Sequence, residues 1–222
     1  MWTLCGDAGA DARQTLSFGW FTMPVNCLRR ESGVGKTLVI GVGGAGCSMA
    51  GYIGPALDMD VLFVNFREEL AHASVGAASS QKWLDLGRRP AKTAVMEAEA
   101  AAEQEAHAFA DMLAGYGVVT VVVGLGGATG SGAASVLARI AGTRGLRVTA
   151  IATMPFAFEE KRIPVAQAAL PGLRQQVDSL ILVDHARGVE PSSQTQTSLP
   201  DYFEGVARDA AVALRNLLKD LQ

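Results

Sequence analysis

The apolar run Val-Val-Thr-Val-Val-Val at 118–123 passes straight into Gly-Leu-Gly-Gly-Ala-Thr-Gly-Ser-Gly at 124–132, and helix-forming residues follow at 133–141. A strand that empties into glycine and then a helix leaves the first helical N–H groups facing an open loop, with no Cβ to keep an anion away. The unit also restricts the fold, because a strand followed by a crossover helix is the building block of a parallel sheet covered on both faces.

Four further β-branched runs, at 37–42, 61–65, 147–153 and 179–183, are bounded by Gly, Pro or polar residues, with helix-length segments between several of them. This alternation predicts an α/β fold with a mostly parallel sheet. An Ala/Glu-rich stretch over about 91–114 sets Val95, Ala98, Ala102, Phe109, Met112 and Leu113 along one helical side. A last helix over 202–221 spaces Phe203, Val206, Ala210, Leu214, Leu217 and Leu221 by three or four, and its apolar side is expected to stand open to a partner. Residues 188–200 read as a polar loop punctuated by proline, whereas 1–36 show no period, although Phe18, Trp20 and Phe21 mark a part that packs on the body.

Composition narrows the function classes. With 222 residues, 49% apolar and 18% charged, the chain can bury one core as a single domain. A net charge of -3, a pI near 5.6 and scattered basic residues argue against nucleic acid or an anionic membrane surface as a partner. Cys5, Cys27 and Cys47 are odd in number and lack metal-ligand spacing, which fits a reducing cytoplasm. No apolar run approaches the roughly 20 residues of a membrane span, and the first residues lack the pattern of a secretory signal.

A second glycine cluster, Gly-Val-Gly-Gly-Ala-Gly at 41–46, also follows a strand and opens a helix at about 47–52. Its spacing fits the dinucleotide fingerprint GxGxxG, whose usual acidic ribose ligand lies about 20 residues on. Asn65-Phe66-Arg67 stands there instead, and Arg67 would suit a 2′-phosphate, so an NADP-dependent oxidoreductase is one reading. Two phosphate loops on separate strands favour a nucleoside di- or triphosphate, with Thr129 and Ser131 adding hydroxyls and Gly130 and Gly132 leaving room for close approach. Residues 31–37 end like a GxxxxGK[ST] loop, but Arg30 occupies the place of its first glycine and the segment precedes a strand, so Lys36 is expected on the surface.

The string Gly-Gly-Ala-Thr-Gly-Ser-Gly at 126–132 is similar to the tubulin/FtsZ signature GGGTG[ST]G, with Ala128 for the third glycine. Val-Gly-Gly-Ala-Gly at 42–46 resembles that family's first loop, Asn65 begins its second, and Gly-Arg-Arg-Pro at 87–90 occupies its third. Met-Pro-Phe-Ala-Phe-Glu at 154–159 resembles KPFxFE, and 177–183 the next strand, so residues 37–221 follow the family's nucleotide-binding half in order. The resemblance implies a Rossmann-like three-layer sandwich over 37–222 ending at its last helix, an N-terminal extension over 1–36, and no second domain.

By that resemblance GTP or GDP is held at its phosphates by Gly43, Gly44, Ala45, Gly46, Cys47, Ser48, Gly126, Gly127, Ala128, Thr129, Gly130 and Ser131. Asn65, Gly87, Arg88 and Arg89 would lie near the terminal phosphate, and Pro155, Glu159 and Arg162, or Ile163 without a gap, near the ribose and base. Phe203, or Tyr202 beside it, would stack on the base. The family's Asn gives way to Ser48, its Asn-Thr-Asp to Asn65-Phe66-Arg67, and a late Asn to Ala207, followed by Arg208 and Asp209. These exchanges set Mg2+ dependence and guanine preference in question, since Arg67, Arg88 and Arg89 can themselves meet phosphate. The family's hydrolytic loop would follow the last helix. The expectation is therefore a regulatory or assembly module with little hydrolysis of its own, pairing with itself or with a full-length relative through the last helix. The alternatives are a GTPase completed in trans, or by Asp209 or Glu159, and a structural protein that has lost its ligand.

Overall fold

The computed structural model describes residues 14–18, 21–25, 35–70, 80–90, 94–185 and 199–219. Eight strands form one sheet: β1 (Gln14–Phe18), β2 (Phe21–Val25), β3 (Lys36–Val42), β4 (Asp60–Asn65), β5 (Gln81–Asp85), β6 (Tyr116–Gly124), β7 (Arg147–Met154) and β8 (Ser179–Asp184). Their order is β1-β2-β8-β7-β6-β3-β4-β5. The six strands from β8 to β5 run parallel, as the alternation predicts, and β1 and β2 add an antiparallel hairpin to the free edge of β8. Part of the aperiodic opening stretch thus joins the sheet, while Trp20 and residues 26–34 lie outside the described residues.

Alternate side chains of the central strands enter two separate cores, as the period of two in a strand requires. Leu38, Ile40 and Val42 of β3, with Val119, Val121 and Val123 of β6, meet one set of helices. These are α3 (Val95–Gln104), α4 (Ala106–Met112), α5 (Ala128–Thr143) and α6 (Ile163–Gln175). Val39 and Val122 face the opposite core, built with α1 (Gly43–Ala56) and α7 (Leu199–Lys219). A short α2 (Arg67–Leu70) follows β4.

Several expectations change in detail. The Ala/Glu-rich helix is interrupted at Glu105, although Ala98, Ala102, Phe109 and Leu113 all point into the core. Glu97 accepts the Ala94 N–H at 2.8 Å and so fixes the start of α3. The loop reading at 188–200 stops short, because Leu199 and Pro200 already belong to α7; residues 188–198 and Leu221 lie outside the described residues. The apolar side of α7 is not open to a partner. Ala207, Ala210, Ala211, Leu214 and Leu217 are buried, four of them in the core shared with α1, and Arg215 donates to the Ala56 carbonyl at the end of α1 at 3.1 Å. Lys36 is a surface residue as expected, its Nζ 2.9 Å from Asp60.

Candidate functional site

β3 is the strand at which the sheet changes direction: the chain runs outward through β4 and β5 on one side and through β6, β7 and β8 on the other. Ligands of open α/β sheets bind in the crevice at such a switch point, beyond the carboxyl ends of the strands. Here α1 leaves β3 and α5 leaves the adjacent β6, on opposite faces, so two helix N-termini flank one crevice. Neither N-cap, Val42 or Gly127, makes a side-chain bond, and neither first turn carries an acidic residue. The first N–H groups of both helices therefore have no side-chain acceptor, and both dipoles favour an anion between them.

The glycines divide into two groups by what a side chain would meet. A Cβ at Gly46 would lie 2.3 Å from the Val122 carbonyl, and one at Gly130 would lie 2.5 Å from the Gly124 carbonyl, so these two close the loops onto β6. Gly43, at φ +72°, would meet Gly130 N at 3.1 Å, and Gly124 would meet Ala45 Cβ at 2.7 Å. A Cβ on Gly126, at φ +94°, would lie 2.8 Å from both Pro155 Cγ and Arg162 Cβ, while the Gly126 N–H donates to Ser131 Oγ at 2.9 Å. Gly132 serves neither loop, contrary to the expectation of phosphate approach: its Cβ would strike the Val95 carbonyl at 2.2 Å, so it is where α3 packs on α5.

Gly44 and Gly127 differ from all of these. A Cβ on either would meet nothing within 4 Å, and Gly127 has an ordinary extended backbone at φ −88°, ψ 152°. The protein itself has no steric need of glycine there. A phosphate lying against both helix starts would fill that space, so the cradle fits such a group.

The other candidates occupy two flanks. On the β4–β5 side, Asn65 is buried, its Oδ1 accepting the Phe66 N–H at 2.9 Å and its carbonyl the Leu86 N–H at 3.0 Å. Gly87, at φ +89°, donates to Asp85 Oδ1 at 2.8 Å and accepts the Arg67 N–H at 3.1 Å. Arg67 Nε lies 2.7 Å from Asp85 Oδ2, Arg89 pairs with Glu69, and the Arg89 N–H reaches Glu68 Oε2 at 3.1 Å. Arg88 is exposed.

On the β7–β8 side, Glu159 accepts the Phe156 N–H at 3.1 Å and Arg162 Nη1 at 2.7 Å, which ties the 156–162 turn together beside Gly126. Ile163, the ungapped alternative to Arg162, opens α6. Phe203 and Tyr202 are half-buried around Phe156, at 5.9 and 5.5 Å between ring centroids.

Two candidates differ from expectation in their side chains. Cys47 is turned into the α1–α7 core, where its thiol donates to Gly41 O at 3.3 Å and burial pushes its pKa up to about 12, so only its backbone can face a ligand. Ser48 spends its hydroxyl on the Gly44 carbonyl, 3.1 Å away. His185, which sequence reasoning missed, follows β8, stacks on Phe156 at 4.6 Å and joins Tyr202 Oη through Nδ1 at 2.9 Å. Burial lowers its pKa. No spacing rule marks it; only its place after a predicted strand end could have.

Residues 87–187 match the model of the tubulin/FtsZ family, GTPase domain. Over 187 residues the chain is 32% identical to the cell division protein FtsZ of Neisseria meningitidis serogroup A, an alignment covering 82% of the chain and 45% of that protein. The chain is similar to the GTPase domain of the tubulin/FtsZ family. FtsZ of Haemophilus influenzae is 36% identical over 121 residues, 54% of the chain and 27% of that protein. Among solved structures, an FtsZ dimer from M. jannaschii superposes with a TM-score of 0.69 at 24% identity, covering 85% of the chain and 56% of its own. CetZ from Methanosaeta thermophila gives 0.65 at 15% identity, over 83% and 54%, which speaks for the fold alone. The chain spans about half the length of the relatives it matches. Within this tubulin/FtsZ fold the first loop lies outside the family-model match but inside the same crevice as the second, held there by the Gly43–Gly130 and Gly46–Val122 contacts. No described helix is long and apolar enough to cross a membrane.

Proposed function

We propose that the chain binds a guanosine di- or triphosphate in the crevice between β3 and β6. The observation that carries the reading is the open space at Gly44 and Gly127, which the fold leaves unfilled between two helix N-termini. The name of the family model, a GTPase domain, supports guanosine as the nucleoside. The half-buried Phe203 and Tyr202 offer it a stacking surface on the β7–β8 flank.

Turnover by the chain alone is slow in this reading. Glu159 is engaged by Arg162 and a main-chain N–H, and Asp85 by Arg67 and Gly87, so neither is poised to orient an attacking water. A catalytic group supplied by a second subunit or a full-length relative would complete the site, which makes the chain a regulatory or assembly module. Denaturing the purified chain and identifying the released nucleotide by chromatography tests the reading. GDP or GTP supports it; NADP, or no nucleotide together with no GDP uptake on titration, overturns it. Phosphate release that rises on adding a full-length FtsZ supports completion in trans, and an unchanged rate refutes it.

A further inference from the structure

The two outer strands of the sheet are not alike. β5 carries Lys82 and Asp85, and Arg67 from α2 closes on Asp85 at 2.7 Å, so charge stands along that edge. β1, the outer strand on the other side, reads Gln-Thr-Leu-Ser-Phe, without charge or proline, and pairs with β2 residue for residue with no bulge. Charge, proline and bulges are what keep an edge strand from pairing with another chain. The proline of this hairpin, Pro24, sits in β2, the inner strand, where it cannot guard the edge.

The register fixes which main-chain groups face outward. Phe18 pairs with Phe21 across only two residues, so this is a hydrogen-bonded pair, and bonded pairs recur at Leu16–Met23 and Gln14–Val25. The N–H and C=O groups of Thr15 and Ser17 therefore point away from β2, and among the described residues no strand lies beyond them. These two residues complement each other. When two β1 strands run antiparallel with Leu16 opposite Leu16, Thr15 exchanges both bonds with Ser17 of the second copy, and Ser17 does so with its Thr15. Centring the pair on Thr15 or Ser17 would set one of the two opposite a residue beyond the strand.

We propose that β1 is a dimerisation edge, joining a second copy of this chain through antiparallel β1 strands centred on Leu16 about a two-fold axis. The axis stands across the sheet and reverses the strands of the second copy, so the two β3–β6 crevices open in opposite directions. This contact is separate from any subunit that completes the nucleotide site, and it holds whether or not nucleotide is bound.

The test is sedimentation velocity of the full chain at rising concentration, up to about 100 µM, for wild type and Ser17→Pro. Proline at 17 removes an outward N–H and no bond to β2, so the melting temperature should match the wild type. One main-chain bond is lost per copy, each worth about fivefold, and the dimer should weaken by about 25-fold. A second variant reads the register. Leu16 faces itself across the axis in a non-bonded pair, the closer kind, so under mild oxidation Leu16→Cys should form a disulfide between copies through the introduced thiol. Thr15→Cys, opposite Ser17, should not. A wild type that stays monomeric throughout overturns the proposal. So does a dimer that Ser17→Pro leaves as tight as the wild type, or one in which the thiols at 15 and 16 cross-link equally.

Discussion

Gly44 and Gly46 stand two positions apart in one helix, yet alanine should act on them with opposite sign. At Gly44 a methyl meets nothing within 4 Å and the residue lies within α1. Alanine there gains helix propensity and removes freedom from the unfolded chain, together worth up to about 1 kcal/mol. For a chain of this size that raises Tm by about 2–4 °C. At Gly46 the methyl would lie 2.3 Å from the Val122 carbonyl oxygen and 3.2 Å from Val123 Cα, strand backbone that cannot rotate aside. Overpacking of that kind costs about 1–3 kcal/mol, so Gly46→Ala should melt about 2–12 °C below the wild type. The Gly44 methyl projects into the space assigned to phosphate, and GDP affinity should fall by about tenfold or more despite the added stability. Thermal melts of nucleotide-free protein by circular dichroism, with GDP titration by calorimetry, give both numbers. If Gly44→Ala melts as low as Gly46→Ala, the space is not open. If it is stabilised and still binds GDP like the wild type, the phosphate lies elsewhere.

Gly132→Ala should destabilise by a similar few kcal/mol through the α3–α5 contact, with nucleotide affinity per folded molecule unchanged, read by the same two assays. Cys47, with its pKa near 12 and a buried Sγ, should escape alkylation at about pH 8 in the folded protein and react only on unfolding, as peptide mapping by mass spectrometry would show. Asp60 is held below the usual carboxylate range, first by the Lys36 hydrogen bond and further by Tyr116 Oη at 2.8 Å. Asp60→Asn should therefore be less stable than the wild type at neutral pH, with the gap closing as pH falls below about 3.9 and through the lower folded value; an undiminished gap in acid denaturant melts would refute the linkage. Burial depresses the His185 pKa, so its neutral form is favoured by folding and stability should fall as pH drops below about 6.5. His185→Phe, which keeps the stack on Phe156, should flatten that slope in the same melts.

The parallel core was legible because its strands are buried on both faces and so read as unbroken β-branched runs, as in β6. β5 was not, since an edge strand needs only one inward residue: Leu84 alone is buried, and Lys82 and Trp83 carry no pattern. The sequence offers no sign that α6 runs through Pro171-Gly172, with Ala166 and Leu173 on either side of it reaching the core. Glycine loops announce themselves in sequence because they are made of main chain. The ion pairs beside them do not. Arg67 finds Asp85 eighteen residues away, and Arg89 finds Glu69 twenty away, only because β4 and β5 lie side by side. The aromatic group around Phe156 is assembled likewise from the ends of β7 and β8 and the start of α7.

The unequal duties of the glycines bear on how such a signature can be trusted in other chains. Gly43, Gly46, Gly126 and Gly130 are demanded by the polypeptide through close backbone approach or a left-handed turn, and Gly124 by the Ala45 methyl packed against it. A lineage that ceased to carry nucleotide would have to keep them merely to close its loops. Only positions 44 and 127 would be released to drift toward larger residues. A glycine-rich motif can thus outlive its ligand, and the side chains at those two places, not the motif as a whole, distinguish a carrier of nucleotide from a relative reduced to architecture.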